Sequence, residues 1–155
     1  MSWLSGKELL TAIEKYADKA TREAFHGIYS IDELPKFVPC HPFFIIINTD
    51  SHNLPGEHWK VVFIDKDKRG ELFDSLALAT SNMIIRWMNR FTRTWEKSER
   101  RIQSNFSTTC GAFVLYFIFK RLSSPNLERL TTANFSANVL DNERKVLAFY
   151  RGLKK

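Results

Sequence analysis

The chain has 155 residues, 44% apolar and 26% charged, which suits one globular domain over residues 1–155 and excludes an intrinsically disordered chain. Six Gly and five Pro exclude collagen-like and low-complexity readings, and 13 Phe promise an aromatic core. The net charge of +6 is uneven, with 9 Lys/Arg against 12 Asp/Glu in residues 1–80 and 14 against 5 in residues 81–155.

Ser5 followed by Glu8 fits a capping box, and Leu9, Leu10, Ile13, Tyr16, Ala17 and Ala20 follow at helical spacing, predicting a helix over about 6–20. Phe25 to Pro35 reads as a loop that docks aromatic side chains onto the core. Phe43-Phe-Ile-Ile-Ile47 is a strand suited to burial on both faces, and the polar Asn48 to Gly56 is a loop. Trp59–Ile64 and Glu71–Leu76 are strands, joined into a hairpin by the charged turn Asp65–Gly70. Met83, Ile84, Trp87, Met88 and Phe91 predict a helix over 80–96 with arginines on its outer face. Arg101 to Phe106 reads as a short strand, Cys110 to Leu122 as a buried helix, and about 137–151 as a last amphipathic helix. The order predicts an α+β domain, with a small mixed sheet flanked by helices. The longest apolar run, Gly111 to Phe119, is far short of the ~20 residues of a membrane span. The N-terminal heptad has no basic-then-apolar pattern, so no secretory signal is read. With no signal and two cysteines, a reduced compartment is expected, where the question about a Cys is its reactivity.

Cys110 opens a predicted helix beside Gly111, after the cap-forming Ser107-Thr-Thr. The positive end of a helix dipole stabilises a thiolate, and Gly111 keeps the approach to the sulfur clear. Taken alone, Cys110 reads first as a buried structural thiol. A thiolate nucleophile needs an imidazole. His58 stands where a polar loop meets a strand, whereas His26, His41 and His52 lie in loops and read as surface residues. Asp74, inside an apolar strand, needs a partner to justify burial. Glu71, the competing acid, begins that strand on its opposite face and is expected to be solvated.

His58-Trp59 after Pro-Gly-Glu, Leu72-Phe-Asp74, and Gln103 seven residues before Cys110-Gly111 together resemble the adenovirus-type cysteine proteases. The relatives of that family include versions from Polinton-like elements and, more distantly, the proteases of ubiquitin-like modifiers. The resemblance covers about residues 25–122, includes Asn48-Thr49 and Phe25-His-Gly-Ile-Tyr, and implies a papain-like fold. It implies Cys110 as nucleophile, His58 as general base and acid, Asp74 as its orienter, and Gln103 with the Cys110 N–H as oxyanion donors. It also implies an endopeptidase that cuts capsid precursors after small, Gly-type residues, found in the virion and the host nucleus or cytoplasm and not secreted. No cofactor and no metal are expected, and activation by DNA or by a peptide is left open. Adenoviral enzymes carry a cysteine shortly before the Gln that links to an activating peptide. Here no Cys lies between Cys40 and Cys110, and Cys40 reads as a structural thiol.

Arg86, Arg90, Arg93, Lys97, Arg100 and Arg101 stand against Glu96 and Glu99. The first four follow at i, i+4, i+7 and i+11, so a continuous helix would line them on one stripe. Sequence-independent DNA contact and a solvated helix face are both open readings of that stripe. The partners expected are therefore protein substrates and DNA, with no membrane, for a monomer. The alternative functions are a peptidase of ubiquitin-like conjugates and a non-catalytic basic module that binds nucleic acid.

Overall fold

The structure, a computed structural model, describes residues 4–38, 41–49, 58–104, 108–123 and 134–155. The chain begins with α1 (Gly6–Tyr16), whose capping box forms as its sequence demands. The Glu8 N–H donates to Ser5 Oγ at 3.2 Å, and the Ser5 N–H to Glu8 Oε1 at 3.3 Å. The expected helix over 6–20 is two helices. Ala17 takes an extended conformation and Asp18 caps α2 (Lys19–Ala24) by accepting from the Thr21 N–H at 2.8 Å.

Five strands form one mixed sheet in the order β1-β2-β3-β4-β5. The segment expected as a loop contains β1 (Phe25–Ser30), an edge strand parallel to β2 (Phe43–Asn48). A register irregularity between Phe25 and Gly27, with Gly27 at φ 139°, breaks the alternation that marks a strand. β2 pairs antiparallel with β3 (Trp59–Ile64), and β3 antiparallel with β4 (Arg69–Phe73). Asp65 builds the hairpin turn by accepting from the N–H groups of Asp67 and Arg69 at 2.8 and 2.9 Å. β4 starts earlier than expected and ends at Phe73, so Asp74 and Ser75 lie just beyond the strand.

The expected helix over 80–96 is α3 (Asn82–Phe91) followed by β5 (Thr94–Lys97), which pairs parallel with β4. Thr92 ends α3 in an extended conformation, and its hydroxyl donates to the Met88 carbonyl at 2.6 Å. The Arg93 N–H then donates to the Lys68 carbonyl at 2.8 Å and starts the new strand. This joint needs a glycine beneath it. A Cβ on Gly70 would lie 2.8 Å from Thr92 Cγ2 and 3.1 Å from Trp95 Cβ. Of the strand expected over Arg101–Phe106, residues 101–104 form none, because Ile102 and Gln103 donate both their N–H groups to the Ser75 carbonyl at 2.9 and 3.1 Å, and the remainder lies outside the described residues.

The sheet is covered on both faces. On one side Phe44, Ile46, Val61, Phe63 and Phe73 pack against α1, the buried helix α4 (Cys110–Arg121) and α5 (Val139–Leu153). On the other, Phe43, Ile45, Ile47, Val62, Ile64 and Leu72 pack against Ile84, Trp87 and Met88 of α3. The period-2 alternation of β2 and β3 thus feeds two apolar layers at once. Trp59 belongs to the first layer, its indole N–H donating to the Leu4 carbonyl at 3.0 Å. No described helix is long and apolar enough to cross a membrane.

Candidate active site

Cys110 is the first residue of α4, and its position in the first turn leaves its N–H without an intrahelical acceptor. Its residue is 2% exposed. Thr109 occupies the N-cap position but contributes no side-chain cap bond, contrary to the capping expected from the threonines.

His58 lies immediately before β3 and is held there by its carbonyl, which accepts from the Thr49 N–H at 3.1 Å. Its Nε2 lies 2.5 Å from Asp74 Oδ1, and the ring also hydrogen-bonds the Cys110 side chain. With Nε2 committed to Asp74, Nδ1 is the nitrogen left for the thiol. Burial disfavours the charged ring, but the bonds to Asp74 and Cys110 and their charges outweigh it and raise His58 from 6.5 to about 9. The site thus favours a protonated imidazole beside the sulfur.

Asp74 is surrounded by donors. Oδ1 accepts from the Leu76 N–H at 2.9 Å as well as from His58, and Oδ2 accepts from the Leu78 N–H at 3.0 Å. The turn that delivers these N–H groups puts Ala77 at φ 49°, in the left-handed region, a strain held by the surrounding bonds. The Lys60 ammonium completes the shell, with Nζ 3.3 Å from Oδ2. Burial pushes the carboxyl toward its neutral form, yet His58, Lys60 and the Leu76 N–H together hold it below its ordinary value.

Gln103 is 1% exposed. Its Oε1 accepts from the Ser75 hydroxyl at 2.5 Å, which turns the amide so that its N–H donors lie on the far side from Ser75. The flanking backbone is held from α5. Asn142 Nδ2 donates to the Ile102 carbonyl at 3.2 Å, and the Ser104 N–H donates to Glu143 Oε1 at 2.8 Å.

The structure therefore gathers His58, Asp74 and Cys110 into one hydrogen-bonded group and ties Gln103 to the residue that follows Asp74. Glu71 is neither part of this group nor solvated as expected. It is half-buried and forms two 2.8 Å bonds with Arg121 of α4. His26 is exposed and stacks on Tyr29, His41 packs beside the Phe43 ring, and His52 and Cys40 lie outside the described residues. Sequence reasoning missed Lys60 and Ser75. The sequence marks Lys60 only as the one charge in Trp59–Ile64, and its pairing with Asp74 follows from the hairpin register.

The basic stripe needs correction. Arg86 and Arg90 are exposed on α3, but Arg93 is in the turn, Lys97 on β5 and Arg101 beyond it, so no single helix lines them up. Arg100 is half-buried and donates to the Phe135 carbonyl at 2.6 Å. No group of three metal-ligating side chains occurs among the described residues.

No protein-family model matches the chain. It is 30% identical over 100 residues to a cysteine protease of African swine fever virus, a match that takes in 56% of this chain but only 36% of that protein. The crystal structure of the African swine fever virus protease aligns with a TM-score of 0.56 at 20% identity, over 84% of this chain and 63% of that one. ChlaDub1 from Chlamydia trachomatis aligns with a TM-score of 0.55 at 14% identity, over 99% of this chain and 78% of that one. The α+β fold seen here, a five-stranded mixed sheet with helices on both faces, is shared with these two structures.

Proposed function

We propose that this chain is a cysteine endopeptidase of viral or mobile-element origin. The observation that carries the reading is the buried His58 ring, bonded to Asp74 on one side and to Cys110 at the start of a helix on the other. The sequence match to a viral cysteine protease supports the same reading. In this reading the Cys110 thiolate attacks the scissile carbonyl, and the new oxyanion takes hydrogen bonds from the Cys110 N–H and the Gln103 amide. The imidazolium of His58 then protonates the leaving amine as the C–N bond breaks, and water hydrolyses the acyl-enzyme with His58 as base. Asp74 keeps the ring in one orientation throughout.

Its finer form is an enzyme of adenovirus type that cuts capsid precursors after small, Gly-type residues. Duplex DNA, bound without regard to sequence through Arg86, Arg90, Arg93, Lys97 and Arg101, is the second partner of this reading. The test is incubation with the structural proteins encoded beside this chain, followed by mapping of new termini. New termini after Gly with the parent chain, and none with Cys110→Ala, are expected. Cleavage that survives in a folded Cys110→Ala overturns the nucleophile, and termini after large residues overturn the glycine preference.

A further inference from the structure

Lys60 is 3% exposed and is the second residue of the otherwise apolar β3. Burying an ammonium is costly unless it is paired, and lysine is among the residues least often fully buried. Its partner is the carboxylate that also holds His58. The hairpin register leads to this pairing. Val61 stands opposite Phe73, so the next position along brings Lys60 opposite Asp74. Asp74 already has the His58 ring and two backbone N–H groups. What Lys60 adds is a full positive charge.

We propose that Lys60 is a positioning residue that draws Asp74 partly away from His58, so that the imidazolium keeps a proton it can give up. The proposal rests on the protease reading above and adds to it. The charges of Asp74 and Cys110 raise His58, and those of His58 and Lys60 lower Asp74, so the carboxylate is shared between two cations. With Lys60 present, the four groups sum to zero charge whether the thiol–imidazole pair is neutral or ionised. Without it, Asp74 faces His58 as a lone buried anion and binds the imidazolium harder. A more strongly held proton is a poorer acid toward the leaving amine. In the step concerned, the S–C bond forms, the C–N bond breaks, the nitrogen keeps the bonding pair, and His58 transfers the proton that neutralises it. An activated ester has a leaving group that departs without that proton, so amide and ester substrates separate this effect from general damage.

The experiment compares the parent chain with Lys60→Met and with Lys60→Gln, which keeps polarity and drops the charge. The His58 ring is titrated by NMR and assigned by its loss in His58→Ala. In both Lys60 variants its midpoint should rise by about one pH unit, the lower end of what a nearby charge does. The amide-to-ester ratio of kcat should fall about three- to tenfold, the share of such an acidity change that a Brønsted relation passes to the rate. An unmoved or lowered midpoint overturns the proposal, and so does an equal fall on both substrates. Should Lys60→Met fail to fold, Lys60→Gln decides by the same two readings. The titration needs no substrate. A chain that cleaves neither ester nor amide therefore sinks the protease reading, while the His58 midpoint still judges Lys60.

Discussion

Two oxygens of Asp74 receive four donors, and that crowding decides what substitutions around His58 do. An amide at position 74 keeps one acceptor and turns an NH2 toward donors, whichever way it flips. Asn can accept from the imidazole only by presenting its NH2 to the Leu78 N–H and the Lys60 ammonium. Asp74→Asn should lower kcat by about 10² or more, near the loss in His58→Ala, because it removes the carboxylate that orients the general acid. Steady-state kinetics on a peptide amide checks this, and near-parent turnover in the Asn variant would show that the carboxylate charge is dispensable. The pH dependence follows from the same group. His58 is raised from 6.5 to about 9, so its protonated form stabilises the fold fully below 6.5, and that contribution disappears as pH rises through about 9. Asp74, held below 3.8, contributes above 3.8 and loses its contribution only as pH falls further. Urea unfolding followed from pH 6.5 to above 9 should show a falling midpoint, and His58→Ala should remove most of that slope.

At the scale of elements, the site depends on α5, which carries no residue of the reacting group. Asn142 is 2% exposed, and its side chain bonds the Ile102 carbonyl and both the N–H and the carbonyl of Ser136. Asn142→Ala leaves the buried Ile102 carbonyl unpaired and takes a partner from both backbone groups of the exposed Ser136, at a cost of about 1–3 kcal/mol. It should also lower kcat more than it raises KM, since it loosens the segment that presents Gln103. A melting curve together with kcat and KM tests both halves, and a destabilised variant with parent kcat would free Gln103 from α5. What the sequence made legible follows the range of the interactions. The Ser5–Glu8 box and the apolar run of α4 are local, and both appear where expected. β1 was missed because a half-buried edge strand with Gly27 at positive φ has no clean alternation. The apolar period of Met83, Ile84, Trp87, Met88 and Phe91 gives no sign of where α3 stops, because the break depends on Thr92 and on an acceptor 25 residues upstream, the Lys68 carbonyl. His58, Asp74, Gln103 and Cys110 could be singled out by residue type and order. Lys60 against Asp74 and Ser75 against Gln103 become visible only when the hairpin register and the 102–104 segment are known.

For the whole molecule, the charge division survives the folding that broke the stripe. Arg86, Arg90, Arg93, Lys97 and Arg101 remain exposed, now spread over α3, the turn after it, β5 and its exit. β5 is an edge strand, and its exposed Glu96 and Lys97 also discourage edge-to-edge pairing with another sheet. That protective role explains charge at the edge but does not explain an excess of one sign. Such an excess suits phosphates, carries no base readout, and predicts binding to duplex DNA without sequence preference. Each phosphate neutralised contributes about −0.9 to the slope of log K against log salt, so replacing Arg86, Arg90 and Arg93 with Glu should flatten the slope by roughly three. Arg100 is left out of that set because its guanidinium is committed to the Phe135 carbonyl. Cleavage of a free peptide should be untouched by the triple replacement, since none of the three side chains belongs to the group around His58. A duplex titration at low ionic strength that shows no salt-dependent binding would leave these arginines as a solvated surface.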